Sequence, residues 1–197
     1  MAKEKNPAFG DKVITGECRA SFPKLDKPDE SKYGQGKYSI DGIFEDSKQM
    51  ESLIEACEAH AQAYYGTTEG IKMPFRDGDE LSKYAGYEGH DFIRCRTKQK
   101  ITIVDGNKNP IDAKEIYGGC VIRLNVTPLA YEIEDKVVVM ENGKRREEKV
   151  TTKGVTLLPN AIQFIRDGDS FGGGGDRTGG FDDEYKTDDS ESPSEMF

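Results

Sequence analysis

The sequence predicts a mainly β body, built as a small Greek-key barrel with one helix, and an acidic tail without fixed structure. Two observations carry this. Stretches of alternating apolar and polar residues recur as far as Ile165, and almost all of the net charge lies beyond Arg166. The 197-residue chain is 35% hydrophobic and 33% charged with a net charge of −9, an apolar share too low for a chain that folds throughout. From Asp167 to Phe197 ten carboxylates face only Arg177 and Lys186, so this segment carries −8 and the remainder −1. A near-neutral body can still present one basic face.

The first strand is expected over Val13–Phe22, with Ile14, Cys18, Ala20 and Phe22 on one side. Lys37–Phe44 is the second, and the polar, turn-rich stretch Pro23–Gly36 reads as an exposed loop between them. From Ser47 to Tyr64 the residues Met50, Leu53, Ile54, Cys57, Ala61 and Tyr64 recur at intervals of three and four, the stripe of an amphipathic helix. Asp46 is its cap, and Gln49 completes a capping box. Gly66–Gly89 is a long glycine- and charge-rich excursion.

Strands resume over Asp91–Val104, which turns through Asp105-Gly106-Asn107 and returns near Ile111, and then over Tyr117–Thr127. A hairpin about Asn142-Gly143 is flanked by Val137–Val139 and Lys149–Thr151, and Val155–Ile165 is the last strand. At least five strands with one helix fit the OB-fold, a five-stranded Greek-key barrel; periodicity also permits other α+β sheets. The domain boundary falls at the run Phe171-Gly172-Gly173-Gly174-Gly175, giving a folded body over 1–171 and a flexible linker and tail over 172–197.

Candidate functional residues cluster in Asp91–Lys100. On a strand, Phe92, Arg94, Arg96, Lys98 and Lys100 share one face, a basic ladder with an aromatic at its end. Alternate cations on a strand sit about 6.6 Å apart, close to the spacing of phosphates along an extended single strand. Four cations with no anion among them repel one another unless something negative lies alongside; the competing reading is a solvated sheet face. Tyr117 and Arg123 share the outer face of the following strand, and Arg19 and Tyr38 are further candidates to meet phosphates and bases, although Tyr38 shares a face with Ile40 and suits the core equally.

Beyond the linker, Asp182, Asp183, Glu184, Asp188, Asp189, Glu191 and Glu195 lead to a terminal Phe197, an aromatic on an acidic leash that suits docking into a partner's pocket. The same tail can compete for the body's own basic groove. Catalysis finds little support: there is no phosphate-cradling Gly-x-x-x-x-Gly-Lys run, and His60 reads as solvent-exposed on a polar helix side. Asp112 and Glu115 form no metal pattern that a charged surface would not also contain, so no catalytic residue, metal or cofactor is expected. Cys18, Cys57, Cys95 and Cys120 are widely spaced and read as buried free thiols. No secretory signal or membrane-length apolar run is present, so a soluble, cytoplasmic protein is expected.

With these parts in place, the chain resembles the OB-fold single-stranded DNA-binding proteins of tailed bacteriophages. The resemblance rests on Lys37-Tyr38-Ser39, on Tyr117-Gly118-Gly119-Cys120-Val121-Ile122-Arg123 before Pro128-Leu129-Ala130-Tyr131, and on Lys153-Gly154-Val155 leading to Ile162–Gly168, in that order along nearly the whole chain. It implies an OB barrel, binding of single-stranded DNA without sequence preference in phage replication and recombination, and a tail that recruits phage or host replication proteins in the infected cell. A homo-oligomer is compatible with it, and RNA binding remains open. The alternative is an acidic DNA mimic or adaptor for DNA-processing enzymes. Its acidity would be spread over a folded surface, whereas here it is confined to the tail.

Overall fold

The computed structural model describes residues 6–141 and 144–171. Among these described residues eight strands and one α-helix follow in the order β1 (Val13–Ile14), β2 (Cys18–Asp29), β3 (Lys37–Phe44), α1 (Glu51–Tyr65), β4 (Phe75–Asp77), β5 (Asp91–Thr97), β6 (Thr102–Val104), β7 (Val121–Glu141) and β8 (Lys144–Arg166). Five of them close on themselves in the order β7-β2-β3-β5-β8-β7, with every pairing antiparallel except β5 to β8. This is the expected OB-type barrel, with β1 added beside β7, β6 beside β8 and β4 beside β5.

The barrel interior is built by the alternate residues that the pattern points inward. Ala20, Ile40, Ile93, Cys95, Ile122, Leu124, Leu157 and Ile162 are all fully buried. Helix α1 covers the barrel with Leu53, Cys57 and Ala61, each burial contributing up to about 1.5–3 kcal/mol for the larger side chains. A 3₁₀ turn over Ser47–Met50 starts the helical segment, capped as expected: Asp46 accepts from the Lys48 N–H at 2.9 Å and its own N–H donates to Gln49 Oε1 at 3.2 Å. All four cysteines are buried and free.

Four boundaries differ from the sequence expectation. The first strand breaks at Thr15, whose N–H still donates to the Leu124 carbonyl while its buried hydroxyl takes the Leu124 N–H and donates to the Gly16 carbonyl, so a side chain stands in for one of the two ladder bonds. Pro23–Asp29, expected as loop, is strand: β2 stays paired with β3 through Lys24↔Ser39 and Asp29↔Lys37, and register shifts accommodate the prolines. The stretch expected as one strand from Asp91 to Val104 is split between β5 and β6. Tyr117 precedes its strand, which begins at Val121 after the Gly118-Gly119 turn.

The last two predicted strands and the hairpin between them fuse into β7 and β8, paired without interruption from Tyr131↔Gly154 to Glu141↔Lys144. That register leaves two residues for the connection, as Asn142-Gly143 suggested, although the pair itself lies outside the described residues. Residues from Tyr131 onward form an arm that extends past the barrel by about 35 Å at strand rise. Its root is pinned by Tyr65 at the end of α1, whose hydroxyl bonds the carbonyls of Tyr131 (2.7 Å) and Gly154 (3.0 Å).

Candidate nucleic-acid interface

The outer face of β3 and β5 is set by their register, which places Ile43 opposite Phe92, Asp41 opposite Arg94 and Ser39 opposite Arg96. The basic ladder therefore does contain an anion. Asp41, only 2% exposed, takes Arg94 Nε at 2.8 Å and Nη2 at 2.6 Å in a two-pronged ion pair. The same carboxylate accepts from the Tyr87 hydroxyl at 2.9 Å. Bonding to Asp41 raises the Arg94 pKa above its ordinary value despite the opposing effect of burial, while burial drives that of the Tyr87 phenol upward. Arg94 is thus a structural cation with one open edge.

Phe92 is 1% exposed beneath Tyr87, at 5.0 Å between ring centroids, and cannot stack on a base where it stands. The long excursion explains this: it folds back over the outer sheet face and contributes Tyr87 and Leu81 to a small second core with Ile43, Phe92 and Phe171. Arg96, Lys98 and Lys100 remain exposed. Only Arg96 lies on the strand, because β5 ends at Thr97, so the regular spacing stops there. Asp29 lies near Arg96: hydrogen bonds from Ser31 chiefly hold its carboxyl below the ordinary range, with Lys24 and Arg96 adding to the effect.

The other predicted residues are drawn into structural bonds. Arg19 donates to the carbonyls of Gly119 (2.8 Å) and Asp169 (2.7 Å), pairs with Glu45 at 3.1 Å and lies over the Phe171 ring at 4.7 Å. Arg123 Nε donates to the Thr15 carbonyl, and the Tyr117 hydroxyl donates to Asp167 at 2.9 Å. Tyr38 is half-buried against the main core. His60, expected in solvent, is partly buried with Nε2 2.9 Å from the Ala8 carbonyl. The tail residues Asp182, Asp183, Glu184, Asp188, Asp189, Glu191, Glu195 and Phe197 lie outside the described residues.

A groove of about 340 Å³ runs between β4, β5 and the root of the arm. The segment over 72–77 forms one wall, tied to β8 by the Lys72 N–H to the Lys153 carbonyl and the Val155 N–H to the Lys72 carbonyl, and to β5 by the β4 ladder. Exposed Lys72 and Arg76, the edge of Arg94, and the apolar side chains of Phe75, Tyr131 and Ile133 line it, with no carboxylate among the lining residues. The hydroxyl end of Tyr131 lies against Gly154, where an added Cβ would sit 2.5 Å from Cζ and from the hydroxyl oxygen. Positive charge beside aromatic surface is the chemistry of a single-strand groove, in which cations follow phosphates and rings stack bases.

Sequence reasoning missed Lys72, Phe75, Arg76, Tyr131 and Ile133. The alternation Tyr131-x-Ile133 and the cations flanking Met73-Pro74-Phe75 were visible, but nothing local brings the two segments together. Among the described residues no cluster of three or more His, Cys, Asp or Glu could hold a metal. The buried thiols of Cys18 and Cys57 are pushed up to about 12, chiefly by desolvation, which makes them poor nucleophiles and ligands.

Comparison with known proteins agrees with this architecture. The structure of the single-stranded DNA-binding protein of bacteriophage Enc34, truncated at its C-terminus, superposes with a TM-score of 0.60 at 19% identity, covering 86% of this chain and 96% of that one. The same Enc34 protein in complex with single-stranded DNA gives 0.57 at 19% identity, covering 86% and 97%. A putative protein p50 of Acyrthosiphon pisum secondary endosymbiont phage 1 is 28% identical over 181 residues, 83% of this chain and 88% of the relative. The family model described as Enterobacter phage Enc34, ssDNA-binding protein, matches residues 11–191, and the chain belongs to that family of phage single-stranded DNA-binding proteins.

Proposed function

We propose that this protein binds single-stranded DNA without sequence preference, coating and protecting it in phage DNA replication and recombination, and that it is not an enzyme. The observation that supports this best is the groove between β4, β5 and the arm, where Lys72 and Arg76 accompany Phe75, Tyr131 and Ile133. The Enc34 relative has been captured with single-stranded DNA. Exposed Arg96, Lys98 and Lys100 extend the positive surface along and beyond β5, so a strand leaving the groove meets further cations. As a member of a phage family, it acts in the cytoplasm of an infected cell in this reading; among the described residues no helix is long and apolar enough to cross a membrane.

In this reading the chain divides into a DNA-binding body over 1–171 and a tail over 172–197 whose carboxylates and Phe197 recruit phage or host replication proteins. The tail also competes with DNA for the cationic surface at the high local concentration its tether imposes. Fluorescence-anisotropy titration of the full chain, and of a chain ending at Gly172, against labelled oligothymidine, a duplex and an RNA of equal length tests the proposal. Preference for the single DNA strand, kept or strengthened without the tail, is the expected result. Absence of binding by both chains would refute it and favour an acidic adaptor.

A further inference from the structure

A second aromatic site opens on the same outer face, beyond the Asp41 network. We infer that the pocket between Phe22 and Tyr84 is a base-binding subsite that receives a nucleobase of the strand held in the arm groove; the inference rests on the proposed DNA binding.

The starting observation is Phe22. It has φ of +44° and is 46% exposed. A phenylalanine in the left-handed region is strained by on the order of 1 kcal/mol or more, and the following Pro23 disfavours helical backbone for the preceding residue. The register of β2 against β3 shifts between Ser21 and Lys24, so Phe22 occupies a bulge position where glycine is the ordinary choice. The backbone holds a large apolar ring outward against these costs.

The ring is held in an ordered setting. It meets Tyr84 edge-on at 5.0 Å between centroids and stacks on Tyr87 at 6.1 Å with 29° between planes. Tyr84 is itself 40% exposed, with the Lys83 ammonium 4.9 Å from its ring centroid. Between Phe22, Pro23, Tyr84, Gly118 and Phe171 lies a pocket of about 260 Å³. Gly86, at φ +87°, allows the Phe171 ring to lie against the backbone, and Arg19 stands over that ring. Flat apolar walls with Lys83 nearby suit a base whose phosphate remains at the rim, and stacking of this kind tolerates every base.

Connection to the arm groove is direct. Arg94 lines that groove, Asp41 bonds both Arg94 and Tyr87, and Tyr87 stacks on Phe22. The two sites are therefore linked by one chain of side chains, hydrogen-bonded from Arg94 through Asp41 to Tyr87 and in ring contact from Tyr87 to Phe22, and the DNA strand runs from one to the other across the segment that covers β3 and β5.

The test uses the full chain with Phe22→Ala and, separately, Tyr84→Ala, titrated with oligothymidine and with an abasic oligonucleotide of equal length. Photo-crosslinking with 5-iodouracil-substituted DNA is read by mass spectrometry. Each variant is expected to lose about fivefold or more in affinity for oligothymidine, with abasic binding unchanged, and wild-type crosslinks are expected at Phe22 or Tyr84. Unchanged affinity in both variants, with crosslinks confined to residues such as Phe75 and Tyr131, would overturn the subsite while leaving DNA binding intact. Failure of the wild-type chain to bind oligothymidine would instead overturn the function on which the subsite rests. Tyr84→Ala guards against misfolding, because Tyr84 is exposed and its backbone lies outside the left-handed region.

Discussion

Replacing Arg94 by methionine separates fold from function on the outer sheet face. Asp41 would stay buried with its carboxylate facing the lost guanidinium, keeping only the Tyr87 hydroxyl as a side-chain donor. Removing one member of a buried ion pair costs roughly 3–5 kcal/mol. Because the Arg94 side chain is 27% exposed, water can reach the vacated site, and about 3 kcal/mol is expected. In a domain of this size that lowers the thermal midpoint by roughly 6–12 °C. Arg96→Met, two residues on but exposed, should stay within about 0.5 kcal/mol of the parent. Urea unfolding of both variants, beside the full chain, measures the difference. In DNA binding the order should reverse: Arg96→Met flattens the dependence of log K on log salt by about 0.7 if one phosphate contact is lost, whereas Arg94→Met, whose charge Asp41 already balances, changes that slope little. Equal stability of the two variants, or a larger slope change for Arg94→Met, would refute the structural role given to Arg94.

Gly154→Ala should displace the Tyr131 ring from its place against the arm, weakening oligothymidine binding several-fold in an anisotropy titration while the body stays folded by circular dichroism. Burial raises the thiol pKa values of Cys18 and Cys57 from 9.0 to about 12. The folded state therefore holds protons that the unfolded chain releases above pH 9, and the associated stability, complete below that pH, is lost as pH rises toward 12. Unfolding free energies from urea titrations between pH 8 and 11 should fall by on the order of 1 kcal/mol per pH unit and per thiol once above pH 9. The four native thiols should react with a disulfide reagent far more slowly than the same thiols in denaturant.

What could be read in the sequence was whatever local pattern decides. The stripe from Met50 to Ala61 announced α1, the cap at Asp46 announced the 3₁₀ turn that leads into it, and the inward alternation of Ile122, Leu124 and Val126 announced the barrel face of β7. Tertiary pairing decided the rest. Pro23 and Pro28 read as loop because a proline weakens a ladder, yet β3 supports β2 on one side and bulges absorb the missing donors. Arg94 looked like an unopposed cation because its partner, Asp41, lies 53 positions away in sequence. Phe92 looked exposed because nothing in Gly66–Gly89 announced that Tyr87 would cover it. The groove joins segments about 60 residues apart, which no periodicity reports.

The most direct test of the groove is the salt dependence of oligothymidine binding by the full chain and by a Lys72→Ala/Arg76→Ala variant. A linear fall of log K with log salt, flatter by about 1.4 in the variant if each residue neutralises one phosphate, is the expected result. A parent response that is flat with salt, or a variant whose curve coincides with the parent's, would contradict single-strand binding in this groove.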